Sequence, residues 1–240
     1  MQRLGIVGCF TTGLVMITSP MNAENLALVY GNTGQIGAHR DRSGATSADF
    51  VLPLRRAGFR VIEPSNRSAT NMRLAAQAVE DALERDGVDK LVIVALGPFA
   101  GTGRDGWIMS NDAQGASAMS IAAVGISVNA LSDLAAEAGE AGVLLLATGT
   151  DDDTIAYGLT PGLENFDHVG DVTYVTGAGN LLAGVLTQDL LRPGNSIADA
   201  ADQSPSHVEF SGHVSRRQGL VDEPFEQSNP DDQENGFWSA

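Results

Sequence analysis

A single cysteine, Cys9, stands in the 240 residues, and it lies near the start. Past it the chain has no thiol. It can therefore hold no disulfide, no thiolate metal site and no cysteine nucleophile beyond that position, so stability has to come from a packed core. Basic residues are also scarce, 14 Lys and Arg against 30 Asp and Glu, for a formal net charge of −16. Such a surface repels phosphate backbones and anionic membranes, which argues against nucleic acid as a partner. Charged residues of either sign are only 18% of the chain and hydrophobic ones 43%, a composition that favours a folded core over wholesale disorder. The length suits one α/β domain with appendages, since domains run to about 100–200 residues.

Residues 1–23 differ in kind from the rest. Arg3 gives a positive start, Leu4 to Thr18 carry no charge, Ser19-Pro20 breaks the run, and Met21-Asn22-Ala23 ends on a small residue. That order is the pattern of a secretory signal peptide, and its apolar stretch is short of the ~20 residues a stable membrane span needs. Cys9 sits too early in the apolar run to be a lipoprotein site. The expectation is export to the periplasm or the medium, cleavage after Ala23, and no membrane insertion afterwards; an uncleaved anchor is the alternative. A chain cut there contains no cysteine.

Apolar runs then alternate with amphipathic stretches. Leu26 to Tyr30, closed by Gly31-Asn32, reads as a buried strand. Residues 48–57 place Phe50, Val51, Leu54 and Ala57 on one helical face with Gly58 as a stop, although Pro53 costs stability outside a first turn. Phe59 to Ile62 predicts a second strand. Met72, Ala75, Ala76, Val79, Ala82 and Leu83 predict a helix over 70–86, capped by Thr70 or Asn71. Leu91 to Leu96, apolar on both faces, suits a central parallel strand covered by helices. A helix over 127–138, strands at Val143 to Thr148 and Val172 to Thr176, and a helix from Leu181 to Leu190 closed by Pro193-Gly194 extend the alternation. The expected fold class is α/β with a doubly wound sheet. Beyond Asp199 periodicity fades. Val208 to Phe210 and His213 to Ser215 suggest an edge strand, and residues 216–240 read as an acidic, flexible tail that nevertheless carries Phe237-Trp238, aromatics that belong with packed structure.

Several punctuation marks recur in a telling order. A strand ends in Gly31-Asn32, a helix opens near Asp49 and leads to Gly58-Phe59, and Ala69-Thr70 precedes the second helix. Asp112-Ala113 follows a short hairpin, and Thr176-Gly177-Ala178-Gly179 precedes a later helix. In this order they resemble the caspase and metacaspase family of cysteine peptidases over roughly residues 26–215, by sequence of elements more than by identity. The resemblance implies a caspase-like three-layer α/β/α sandwich with a mostly parallel central sheet over residues 24–215. It also implies where catalysis belongs. The family's third strand ends in Gly-His-Gly, with the base, and its fourth in Asp-Ala-Cys-Arg, with the nucleophile.

Here the third strand ends in Leu96-Gly97-Pro98-Phe99 and the fourth in Ala147-Thr148-Gly149-Thr150. Pro98 stands at the base position and Gly149 at the nucleophile position. Thiolate hydrolysis needs a nucleophile, a base within hydrogen-bond reach, and donors for the oxyanion; proline and glycine side chains supply neither of the first two. No shift of alignment restores a cysteine. The resemblance therefore implies an inactive homologue with no cofactor. Its strand-end crevice, walled by loops 97–106 and 149–170, would bind a peptide or protein segment. The acidic surface and the family's arginine- or lysine-directed members favour a basic one.

Other constellations compete with this reading. Gly101-Thr102-Gly103-Arg104-Asp105-Gly106 matches a dinucleotide fingerprint but follows the third strand and precedes a strand-like run, so a glycine-rich loop is the plainer account. Asp151, Asp152 and Asp153 offer carboxylates for Ca²⁺, yet consecutive residues do not converge on one ion, and a solvated loop is the default. His39, His168, His207 and His213 show no helical metal spacing. There is no Gly-x-Ser-x-Gly elbow, and serines and histidines are too scattered in sequence to assemble a triad. Thr148 and Thr150 flank the vacated nucleophile position. The alternative function is thus a divergent hydrolase with a non-cysteine nucleophile, and a nucleotide-binding flavodoxin-like domain is a weaker third.

Overall fold

The computed structural model describes residues 24–31, 44–148, 158–163 and 166–222. The leader read at 1–23, His39, Gly149, Thr150 and Asp151 to Asp153 lie outside the described residues.

The chain opens with β1 (Glu24–Tyr30), α1 (Ala48–Arg56), β2 (Arg60–Ile62), α2 (Ala69–Asp86) and β3 (Val88–Leu96). A hairpin of β4 (Phe99–Gly101) and β5 (Gly106–Met109) follows, then the short α3 (Ile121–Val124), β6 (Gly125–Ser127), α4 (Val128–Ala136) and β7 (Ala141–Ala147). Next come β8 (Thr160–Pro161), β9 (Val172–Gly177), α5 (Gly179–Val185) running on into a π-helical turn at Leu186–Leu190, α6 (Ile197–Gln203) and β10 (Glu209–Gly212).

The main sheet has six strands in the order β10-β9-β7-β3-β1-β2; β10 alone is antiparallel to its neighbour. The period of two along each strand sorts its side chains onto two faces. Ala27, Val29, Val92, Val94, Leu96, Val143 and Leu145 pack with α1, α5, the π turn and α6. Leu26, Leu28, Tyr30, Leu91, Ile93, Leu144 and Leu146 pack with α2 and α4. Both faces are covered, which is why these strands read as unbroken apolar runs. The protein is an α/β sandwich with a mostly parallel six-strand sheet between helical layers. A second sheet, β6-β5-β4-β8, is antiparallel throughout.

Several boundaries differ from those expected. Pro53 lies inside α1, past its first turn. The helix tolerates it because the Asp49 carbonyl left without a helical donor belongs to an exposed residue, where water can satisfy it. Ser68, not Thr70 or Asn71, caps α2: its hydroxyl accepts the Asn71 N–H at 3.3 Å. The segment after residue 199 is more ordered than its fading periodicity suggested. Ser196 and Asp199 form a reciprocal capping box that starts α6.

Within residues 216–222, assigned to the tail from sequence, the chain is anchored to the domain. Leu220 is fully buried. The N–H groups of Gly194, Ile197 and Ala198 donate to the carbonyls of Val221, Gln218 and Ser215 at 3.1, 2.9 and 2.9 Å. This strap crosses the amino ends of the strands, where Asp222 meets Lys90 of β3 at 2.7 Å. Among the described residues no helix is long and apolar enough to cross a membrane.

Candidate functional site at the carboxyl ends of the strands

The chain leaves β1 for β2 on one side and β3 for β7 on the other, so the strand order reverses between β1 and β3. Loops diverge at such a switch point and open a crevice beyond the carboxyl ends, the usual ligand position in open α/β sheets. Its floor is set by close backbone approaches. A Cβ on Gly31 would lie 2.0 Å from Ser47 Cβ, ahead of α1. Gly97 has φ +130°, and a Cβ there would lie 1.9 Å from Nη1 of Arg67. Both positions therefore demand glycine.

Arg67 is only 2% exposed, and its guanidinium packs against Gly97 at the end of β3. Its carbonyl accepts the Asn111 N–H at 2.8 Å. One residue on, the Asp112 carboxylate accepts the Ala69 N–H in the first turn of α2 at 2.9 Å, while the Asp112 N–H donates to Ser110 Oγ at 3.1 Å. The aspartate singled out by the family pattern thus fastens the 110–112 turn to the start of α2, a capping duty that an acceptor at a helix N-terminus performs well.

Pro98 follows Gly97 directly, half-buried, and its carbonyl accepts the Met109 N–H at 2.9 Å. Pro98 is consequently bound into the hairpin by its main chain, and its side chain offers no proton acceptor. β7 ends beside it, with Leu96 opposite Ala147. Thr148 is tied sideways: its N–H donates to the Gly177 carbonyl at 2.9 Å and its hydroxyl to the same oxygen at 3.3 Å. A hydroxyl that donates to a carbonyl has its proton committed there and is not set up as a nucleophile.

Parts of the two loops expected to wall the crevice are hydrogen-bonded to each other. Ala100 pairs with Pro161 and Gly101 with Thr160, so β4 and β8 form one continuous wall. The glycine-rich string is the tip of the β4–β5 hairpin: Thr102 N–H donates to the Asp105 carbonyl at 3.1 Å across Gly103 (φ +78°). No helix opens there, so the backbone does not form a phosphate cradle. Asp105 turns back to α4, accepting from Ser127 Oγ at 2.5 Å and from the Asn129 N–H at 3.2 Å. On the far side of the wall, Ala100, Met109, Ala116 and Ile121 make a small apolar cluster with Trp107 and Leu159.

Among the described residues no group of three or more His, Asp, Glu or Cys is placed to hold a metal. Of the described histidines, His207 is exposed near the end of β9, while His168 and His213 lie at the opposite, amino end. Two features escaped the sequence. Arg67 carried no signal beyond its place ahead of a helix cap, and its burial depends on Gly97 approaching from a different loop. Ser211 and His168, 43 residues apart, meet at 3.1 Å.

Fold and site together define a three-layer α/β protein whose switch point is lined, among the described residues, by Gly31, Arg67, Gly97 and Pro98, with a small antiparallel sheet beside it. No protein-family model matches the chain, and no curated protein sequence matches it either.

Proposed function

We propose that this is an exported relative of the caspase-type peptidases, inactive as a cysteine peptidase, that holds an extended peptide or a partner's loop beyond the carboxyl ends of β1, β3 and β7. The observation that carries the reading is Pro98. It follows the end of β3, beside the end of β7, and is anchored through its carbonyl to Met109; by the family resemblance this is the place of the base. The sandwich architecture is the one the resemblance implies, and no cysteine follows Cys9. Shape and main-chain hydrogen bonds, not proton transfer, are what such a crevice offers a ligand. The net charge of −16 favours a basic segment, steered in by long-range attraction that salt weakens.

Two measurements test this. Protein beginning at Glu24 should turn over no peptide amide in a broad panel, and it should bind Lys/Arg-rich peptides more tightly than acidic ones at low salt. The geometry is tested separately by rebuilding the missing pair. With Gly149→Cys alone, the new thiol should react with iodoacetamide as an ordinary thiol. Adding Pro98→His should speed the reaction at mildly acidic pH by about tenfold, because an adjacent imidazolium stabilises thiolate. Equal rates in the two variants would show that positions 98 and 149 are not partners and would remove the family reading.

A further inference from the structure

A different pair of side chains has the chemistry the crevice lacks. At the amino end of β9, His168 Nε2 lies 3.1 Å from Ser211 Oγ on β10. The imidazole is held from two sides. Its centroid is 4.7 Å from that of Tyr174 and 5.5 Å from that of Phe166, the latter edge-on at 81°. Tyr174 is itself fully buried, and its hydroxyl accepts the Val169 N–H at 2.9 Å, which fixes the loop that carries His168. The base is therefore positioned before any substrate arrives. His168 is exposed and Ser211 half-buried, so both can be reached from solvent.

The backbone of β10 adds a third element. Ser211 stands opposite Tyr174, and the His213 N–H donates to the Val172 carbonyl at 2.9 Å. In an antiparallel ladder this alternation turns the N–H groups of Ser211 and His213 toward β9 and those of Phe210 and Gly212 away from it. No strand pairs with the outer side of β10 among the described residues. The Gly212 N–H, next in the chain after Ser211, thus faces away from β9, on the side where no described strand pairs. Gly212 has φ +75°, and a Cβ there would lie 2.3 Å from the Val172 carbonyl oxygen, so this turn of the edge is reserved for glycine.

We propose that Ser211 and His168 form a nucleophile–base dyad that accepts acyl groups from small activated esters, with the Gly212 N–H as oxyanion donor. Ser211 Oγ attacks the ester carbonyl as its proton passes to His168 Nε2. The tetrahedral intermediate then collapses, the C–O bond to the leaving alcohol breaks, and His168 returns the proton to that alkoxide. Water, deprotonated by the same imidazole, releases the acid and frees the serine. The neighbouring His213, which faces Asp171 at 3.7 Å, is outside this pair.

The test uses a fluorophosphonate probe and p-nitrophenyl acetate on the protein beginning at Glu24. The expected result is a single adduct mapped to Ser211, absent in Ser211→Ala and retained in the control Ser215→Ala. His168→Phe keeps the aromatic stack, so its melting temperature should hold. Its labelling and ester hydrolysis should fall by about 10²-fold, the usual worth of a positioned base, with loss of the wild-type pH dependence. No adduct, an adduct on another residue, or wild-type labelling in a folded His168→Phe protein would overturn the dyad. None of these outcomes bears on the crevice, which the cysteine–histidine rebuilding tests independently.

Discussion

At its carboxyl end the central sheet is closed by backbone and shape. Gly31 abuts Ser47, Gly97 abuts the Arg67 guanidinium, and Pro98 hands its carbonyl to Met109. At its amino end the same sheet is surrounded by polar side chains in pairs. Lys90 sits between Asp222 at 2.7 Å and Glu140 at 3.7 Å, His213 faces Asp171, and His168 meets Ser211. Lys90 is the only lysine in the sequence, and its side chain is 4% exposed on a central strand. Open α/β folds ordinarily keep their working groups at the carboxyl end. Among the described residues that end is closely packed around Gly31, Gly97 and Pro98, with Asp112 and His207 nearby, while Lys90, His168 and His213 lie at the other end.

The sharpest way to test that division uses the two ends of one strand. Gly97 follows β3 and Gly87 precedes it, and both have positive φ, +130° and +64°. A Cβ at Gly97 would collide with Arg67, whereas one at Gly87 meets nothing within 4 Å. Gly97→Ala should therefore cost about 3 kcal/mol or more, combining backbone strain with overpacking, and Gly87→Ala about 1 kcal/mol. Chemical denaturation of both variants gives the comparison. Equal, small losses would mean that the carboxyl end yields as easily as an exposed turn, and the contrast would fail.

The strap supplies the next largest effect. Leu220 is fully buried against the cluster of α1, α5 and α6, so Leu220→Ala should cost about 2–4 kcal/mol. Lys90→Met should change stability by less than about 1 kcal/mol. It replaces the ammonium with an apolar group of similar length, and the carboxylates it leaves are 85% and 55% exposed and remain hydrated. If Lys90→Met proved as costly as Leu220→Ala, the amino end would be held by charge and not by the apolar anchor beneath it.

Much of this fold was legible because both faces of the sheet are buried. Leu26 to Tyr30, Leu91 to Leu96 and Val143 to Ala147 stand out as apolar runs, and each is a strand. Asp89 and Lys90 read as flanking residues, yet β3 begins at Val88. The partner that makes a buried lysine tolerable there, Asp222, lies 132 residues on. β4, β6 and β8 are two or three residues long and exist through pairing with distant segments, so no local pattern announces them. At the carboxyl end, only the place of Pro98 just past β3 was legible. Arg67 against Gly97 and His168 against Ser211 are products of chain crossing that spacing along the sequence does not encode.

A smaller effect belongs to the carboxyl end. Asp112 accepts one charge-assisted hydrogen bond from the Ala69 N–H at an exposed position, so Asp112→Ala should lose about 1 kcal/mol, the usual worth of an N-terminal cap, and Asp112→Asn less. The 110–112 turn would remain attached through the Asn111 N–H and the Arg67 carbonyl. A loss several times larger would show that the turn depends on the carboxylate and not on the backbone bond.

The smallest effect is a dependence on pH near the strap. The Asp199 carboxylate accepts from both the hydroxyl and the N–H of Ser196, and these bonds hold its pKa below the ordinary value of 3.8, with help from Arg216. A folded-state pKa depressed in this way stabilises the protein above the unfolded-state value, and the gain disappears as pH falls through the folded one. The melting temperature of wild type should thus exceed that of Asp199→Ala at neutral pH, with the gap narrowing as the pH falls below 3.8. The difference between the two proteins isolates the part due to Asp199. A gap that stayed constant into acid would mean that the capping box works through its neutral hydrogen bonds. The amino end would then owe its order to geometry, as the carboxyl end does, and the contrast between them would narrow to the placement of Lys90 and the two histidines.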